Sequence, residues 1–182
     1  MDEQELFLER LPYDSGLVGN ASREFADILC ARYPEWSSLL TVIRLHPDEP
    51  WRMDLVVPSP TGDEVRALQF WMNNYYTTGL NYDEPSIGFG HWHTHLGCCD
   101  SMEELLDLAD AIRADGMVEF FDCAWDPSHW WVLEPWNDDL VLDLLTDRDS
   151  SGRIRVRSWG GTRDGEYSLA SLAKRPNGNK EE

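Results

Sequence analysis

Three histidines alternate along one short stretch, His91, His93 and His95. In a strand, residues two apart project from the same side. The pattern therefore places three imidazoles on one face, together with Ile87 and Phe89. Trp92, Thr94 and Leu96 take the opposite face, and Gly88 and Gly90 leave room for a close neighbour. Two histidines at this spacing can grip one zinc ion once a third ligand joins them. His129, Cys98, Cys99, Asp100 or a distant carboxylate could be that ligand. An open fourth position would then hold an activated water, the nucleophile of a metal-dependent hydrolase. The plain alternative is three histidines packed on a half-buried, aromatic-rich sheet face with no cofactor. Other nucleophile chemistry lacks support: Cys98 and Cys99 are adjacent rather than spaced Cys-x-x-Cys. No Gly-x-Ser-x-Gly, phosphate-cradling glycine loop or dinucleotide fingerprint occurs.

The elements that would position these residues follow from periodicity and turn chemistry. Residues 1–19 are polar, carry Pro12 and Gly16, and read as a variable lead-in. A helix is expected from Asn20 or Ser22, either of which can cap it, with Phe25, Ile28, Leu29 and Arg32 at helical spacing and Pro34 as its stop. Strands follow over Leu39–Leu45, Trp51–Val57 and Val65–Trp71, the last two joined by the turn cluster Pro58–Asp63. Asn73–Pro85 mixes Tyr with Asn, Gly and Asp and reads as a loop, and Ser86–Leu96 as one strand. Ser101-Met102-Glu103-Glu104 is a capping box. It opens a helix whose apolar stripe is Met102, Leu105, Leu106, Ala109 and Ile112, with Gly116 as its left-handed cap. Met117–Trp125 and His129–Glu134 read as strands joined at Asp126-Pro127-Ser128; 138–145 fits helix or strand equally; Arg153–Trp159 reads as a strand. The expectation is an α+β fold: a mainly antiparallel sheet with the N-terminal and central helices on one face. Residues 20–173 form its single domain, and 174–182 are a disordered polar tail.

A chain of 182 residues with nine Trp, six Tyr and six Phe can bury a core without disulfides or metals. The charge is lopsided, with 34 acidic residues against 15 basic, a net −19. Such a field repels nucleic acid and anionic membrane and attracts basic partners, speeding their encounter. The acidic start lacks the features of a secretion signal, and no apolar run of about 18 residues exists. A cytoplasmic location with reduced thiols is the expectation.

On the central helix Glu103, Asp107 and Asp110 lie opposite the apolar stripe, with Asp100 just before it. Asp138, Asp139, Asp143, Asp147 and Asp149 form a second acidic run. A charge run is usually a solvated face; the functional reading is a docking surface for a basic protein. Trp130 and Trp131 are neighbours, so in a strand they point to opposite faces, and an exposed Trp beside acids suits a binding anchor. Asp100, Glu103, Asp107, Asp110, Trp130, Trp131, Asp138 and Asp139 are therefore the candidate partner-binding residues.

Two resemblances bear on function. His91-Trp92-His93, then seven residues, then Ser101 resembles the JAMM metalloprotease pattern of His-x-His, seven residues and Ser-x-x-Asp. Glu104 stands where that class has Asp, and Glu64 is a candidate for its upstream Glu. The resemblance implies a zinc-dependent hydrolase. Separately, the stretch Ile87–His95 with the amphipathic helix and the strand after it, and the closing Arg157-Ser158-Trp159-Gly160-Gly161-Thr162, resemble a group of small bacterial proteins. These are similar in size and composition to immunity proteins of bacterial toxin systems. That resemblance implies a cytoplasmic protein that binds and neutralises a cognate toxin, without a cofactor. A third reading is a mimic of nucleic acid, with carboxylates spaced like phosphates on a DNA-binding protein's site.

Overall fold

The strands expected from short-turn pairing form, but they build two sheets rather than one. The computed structural model describes residues 8–77, 80–90, 92–122, 132–146 and 152–172. The fold is α+β, with two antiparallel sheets and accompanying helices. The chain divides into two compact units. One comprises Met1–Pro58, Ala67–Gly88 and His93–Leu106; the other comprises Ser59–Arg66, Phe89–Trp92 and Asp107–Glu182.

The first unit is built on a six-stranded meander: β1 (Glu9–Pro12), β2 (Leu40–Arg44), β3 (Arg52–Val57), β4 (Leu68–Thr77), β5 (Leu80–Phe89) and β6 (Trp92–His95), side by side in chain order. Strand β1 lies within the stretch read as a lead-in and pairs with β2, Glu9 opposite Arg44 and Pro12 opposite Thr41. Period-2 alternation turns Leu40, Val42, Met53, Leu55, Leu68 and Phe70 to a fully or almost fully buried face. Helix α1 (Asn20–Arg32) covers that face with Phe25, Ala26 and Leu29, each 1% exposed. Phe25 meets Phe70 edge to face at 6.4 Å, and Trp36 of the following 3₁₀ turn packs on Phe70 at 5.7 Å and stacks on Tyr33 at 4.0 Å. Each large apolar side chain so buried stabilises by about 1.5–3 kcal/mol. The expected N-cap is corrected: Gly19 holds that position with extended backbone, Asn20 is occupied by Arg23, and Ser22 is buried.

The expected loop over Asn73–Pro85 is also corrected. Its described residues continue β4 and form most of β5. The expected single strand Ser86–Leu96 is broken at Gly90, whose φ of 62° turns β5 into β6.

Helix α2 (Met102–Arg113) starts as its capping box demands. The Glu104 amide donates to Ser101 Oγ at 3.2 Å, and Glu104 reaches back to the Asp100 amide at 2.6 Å. Leu105, Leu106, Ala109 and Ile112 are buried. The left-handed residue at its end is Asp115, with φ 54°, not Gly116. The Asp115 carboxylate explains why: it accepts the Gly160 amide at 2.5 Å, the Thr162 amide at 3.2 Å and the Thr162 hydroxyl at 2.5 Å. Those bonds offset the strain of a non-glycine residue there.

The second unit holds a four-stranded sheet in the order β10 (Gly165–Ser168), β9 (Arg153–Arg157), β7 (Met117–Asp122), β8 (Val132–Pro135). Val118, Phe120, Ile154 and Val156 form one apolar face, and Val141 and Leu145 of α3 (Asp138–Thr146) join their cluster. Residues 138–145, ambiguous by pattern, are thus helical. Asn137 caps them, its side chain accepting the Asp139 amide at 2.9 Å. A short α4 (Leu169–Leu172) follows β10. No described helix is long and apolar enough to cross a membrane.

Candidate functional site

The histidine region is the chemically richest part of the first unit. The turn at Gly90 changes which side chains share a face. His95 Nδ1 lies 2.7 Å from Ser86 Oγ, whereas Ile87, the next residue along β5, points to the other side and is fully buried. His93 and His95 therefore do not share the Ile87 face expected from a single strand. Their rings meet edge to face at 5.1 Å, and the His93 ring lies 6.1 Å from the Trp71 indole. His91 lies outside the described residues.

Ser86 has no exposed surface, so it tethers the imidazole rather than serving as a nucleophile. Its hydroxyl also reaches the Glu84 carbonyl at 3.4 Å. When the hydroxyl donates there, His95 Nδ1 carries the proton and Nε2 is left as the basic nitrogen. Burial, aided by His93, pulls the His95 pKa below its ordinary value, while Glu84 pulls the other way. The lowered pKa favours the neutral form of His95 at neutral pH, and His93 beside it is exposed. Glu84 itself accepts the Gly97 amide.

Among the described residues, no group of three or more His, Cys, Asp or Glu side chains is arranged to hold a metal ion. Two imidazoles alone make an incomplete zinc shell. Ser101 and Glu104, the candidates from the metalloprotease spacing, are engaged in capping α2. Glu64 is an exposed residue opening a 3₁₀ turn. Burial raises the Cys99 thiol pKa, with nearby acids adding to it, which disfavours the thiolate a metal needs.

The acidic candidates fall on two helices. On α2, Glu103 and Asp107 are exposed and Asp110 is half-buried, with Asp100 exposed just ahead. Glu103 is bound by Arg32 at 2.6 Å and Asp110 by Arg113 at 3.6 Å. On α3, Asp138 opens the helix, and Asp139 and Asp143 are exposed. Trp130 and Trp131 lie outside the described residues, as do Asp147 and Asp149.

Three carboxylates escaped the sequence reading. Asp54 of β3 pairs with Arg10 at 2.7 Å and lies within reach of Thr41, yet burial dominates and raises its pKa. Asp115 orders the Ser158–Asp164 loop as described. Glu119 of β7 is fully buried, 3.5 Å from Arg157, with its carboxylate against the Gly90 backbone. For Asp54 and Glu119 the signal was an acid inside a largely apolar strand, since an acid is almost never fully buried unless paired.

Comparison with family models, with curated proteins and with solved structures gives no match to this chain.

Proposed function

We propose that the protein is an immunity-type protein that binds a basic toxin in the cytoplasm and blocks it through an acidic, aromatic-containing surface. The observation that carries this reading is the placement of Glu103 and Asp107 on α2 and of Asp139 and Asp143 on α3, all exposed, in a chain of net charge −19. Blocking a toxin needs only a complementary surface, and opposite charge speeds the encounter. The test is co-expression with the product of the adjacent gene where that product is a basic toxin. Rescue of growth and a complex between the purified proteins are expected. A toxin that kills equally with and without this protein would end the reading.

One observation favours a second reading, a zinc-dependent hydrolase centred on His91, His93 and His95. The Ser86 tether orients His95 beside the exposed His93, as outer hydrogen bonds orient metal-bound imidazoles. The chain's described residues supply two of the ligands. Metal analysis of protein purified without a histidine tag decides it: less than about one equivalent of zinc, iron or manganese removes this alternative.

A further inference from the structure

We propose that the outer face of α3 is the surface that receives the basic partner, and that it receives a cationic amphipathic segment. The inference rests on the binding-protein reading and names which surface does the binding and what it grips.

Helix α3 has two faces at helical spacing. Val141 and Leu145 enter the core of their unit, with Leu144 packed against it. Asp139, Leu142, Asp143 and Thr146 form the opposite, exposed stripe. Leu142, 46% exposed, lies at one edge of that stripe, one turn from Asp139. Helix α4 packs beside α3, and its first residue, Leu169, is 45% exposed. A lone exposed leucine is ordinary. Here one borders two exposed carboxylates on the same helix, and a second lies on a helix in contact with it.

The contrast with α2 decides between the two acidic helices. The acids of α2 already hold cations of this chain, Glu103 with Arg32 and Asp110 with Arg113. No large exposed apolar residue lies on α2 among the described residues. Helix α3 contains no Lys or Arg, and no described cation pairs with Asp139 or Asp143. Its outer face thus offers negative charge that no described cation holds, beside an apolar contact. The complement is a segment with apolar residues on one stripe and Lys or Arg at its margins. A purely charged polycation would satisfy the carboxylates and leave Leu142 in water.

The test uses the full chain and two synthetic peptides of equal charge. One is an amphipathic helix of Lys and Leu; the other has Ser in place of each Leu. Calorimetry gives the affinities, and amide chemical shifts map the contact. The Lys/Leu peptide should bind about tenfold tighter, with shifts gathered on α3. Leu142→Ser, at an exposed site, should abolish the difference while leaving the melting temperature unchanged. The double variant D139N/D143N should weaken both peptides. Equal binding of the two peptides, or a Leu142→Ser variant that keeps the preference, overturns the proposal. Shifts gathered on α2 overturn it too, and leave the basic-partner reading standing. Binding of neither peptide removes this docking face, while rescue from the toxin in co-expression judges the broader reading separately.

Discussion

At the scale of single residues, the tightest constraint joins Gly90 to Glu119. Gly90 has a φ of 62°, and a Cβ placed there would stand 2.8 Å from Glu119 Cδ, closer still to one carboxylate oxygen. Glu119 has no exposed surface and pairs with Arg157. Gly90→Ala therefore meets left-handed strain of about 1–2 kcal/mol plus displacement of a buried, paired acid. A loss of at least about 2 kcal/mol is expected, read from the urea midpoint; an unchanged midpoint would show that Glu119 yields freely. His95 makes a second prediction. Its pKa is lowered in the fold, so below the ordinary value near 6.5 the unfolded chain takes up a proton that the folded chain refuses. The unfolded state then binds more protons, and stability rises with pH in that window. As pH falls from about 6.5 toward the depressed folded pKa, the protein loses stability, and His95→Gln should show a shallower fall over that range. Parallel slopes for the two proteins in urea titrations between pH 5 and pH 7.5 would contradict this.

At the scale of elements, α2 is the one whose start and apolar stripe were legible. The Ser101 half of the capping box forms, while Glu104 reaches one residue further back to the Asp100 amide, so Ser101→Ala should cost about 1 kcal/mol, with thermal unfolding as the measure and no change in helix content at low temperature. Where the sequence misled, the reason was pairing. Asn73–Pro85 carries turn-forming residues, yet strand membership depends on cross-strand neighbours that local composition does not display. The histidine strand failed for a related reason. Alternation from Ile87 to His95 holds only if the chain stays extended, and one left-handed glycine moved His95 to the side of Ser86. The same holds at the end of α2, where Asp115 takes the left-handed position because a loop some 45 residues later in the chain donates to its carboxylate. The acids of α2 were readable as a helix face, but their ion pairs were not. Arg32 lies 71 residues before Glu103, and nothing in the local pattern links them.

At the scale of the whole molecule, the surplus of 19 negative charges would set how the proposed basic partner arrives more than how firmly it stays. Exposed charges act over a screening length of about 8 Å at physiological salt and about 3 Å at 1 M. Long-range attraction between this protein and a basic partner is therefore removed by salt, while an apolar contact at Leu142 is not. Association rate and dissociation rate should respond differently. Raising salt from about 0.02 to 0.5 M should slow association with a basic partner by about tenfold or more, and change dissociation by no more than about threefold. Stopped-flow mixing with the basic partner identified by the co-expression test measures both. The mimic of nucleic acid makes the opposite division: its grip is itself a set of ion contacts, so affinity collapses with a steep logarithmic slope and dissociation accelerates strongly. An association rate that ignores salt would mean that the charge is there to keep the protein dispersed, and that recognition runs through other surfaces of the chain.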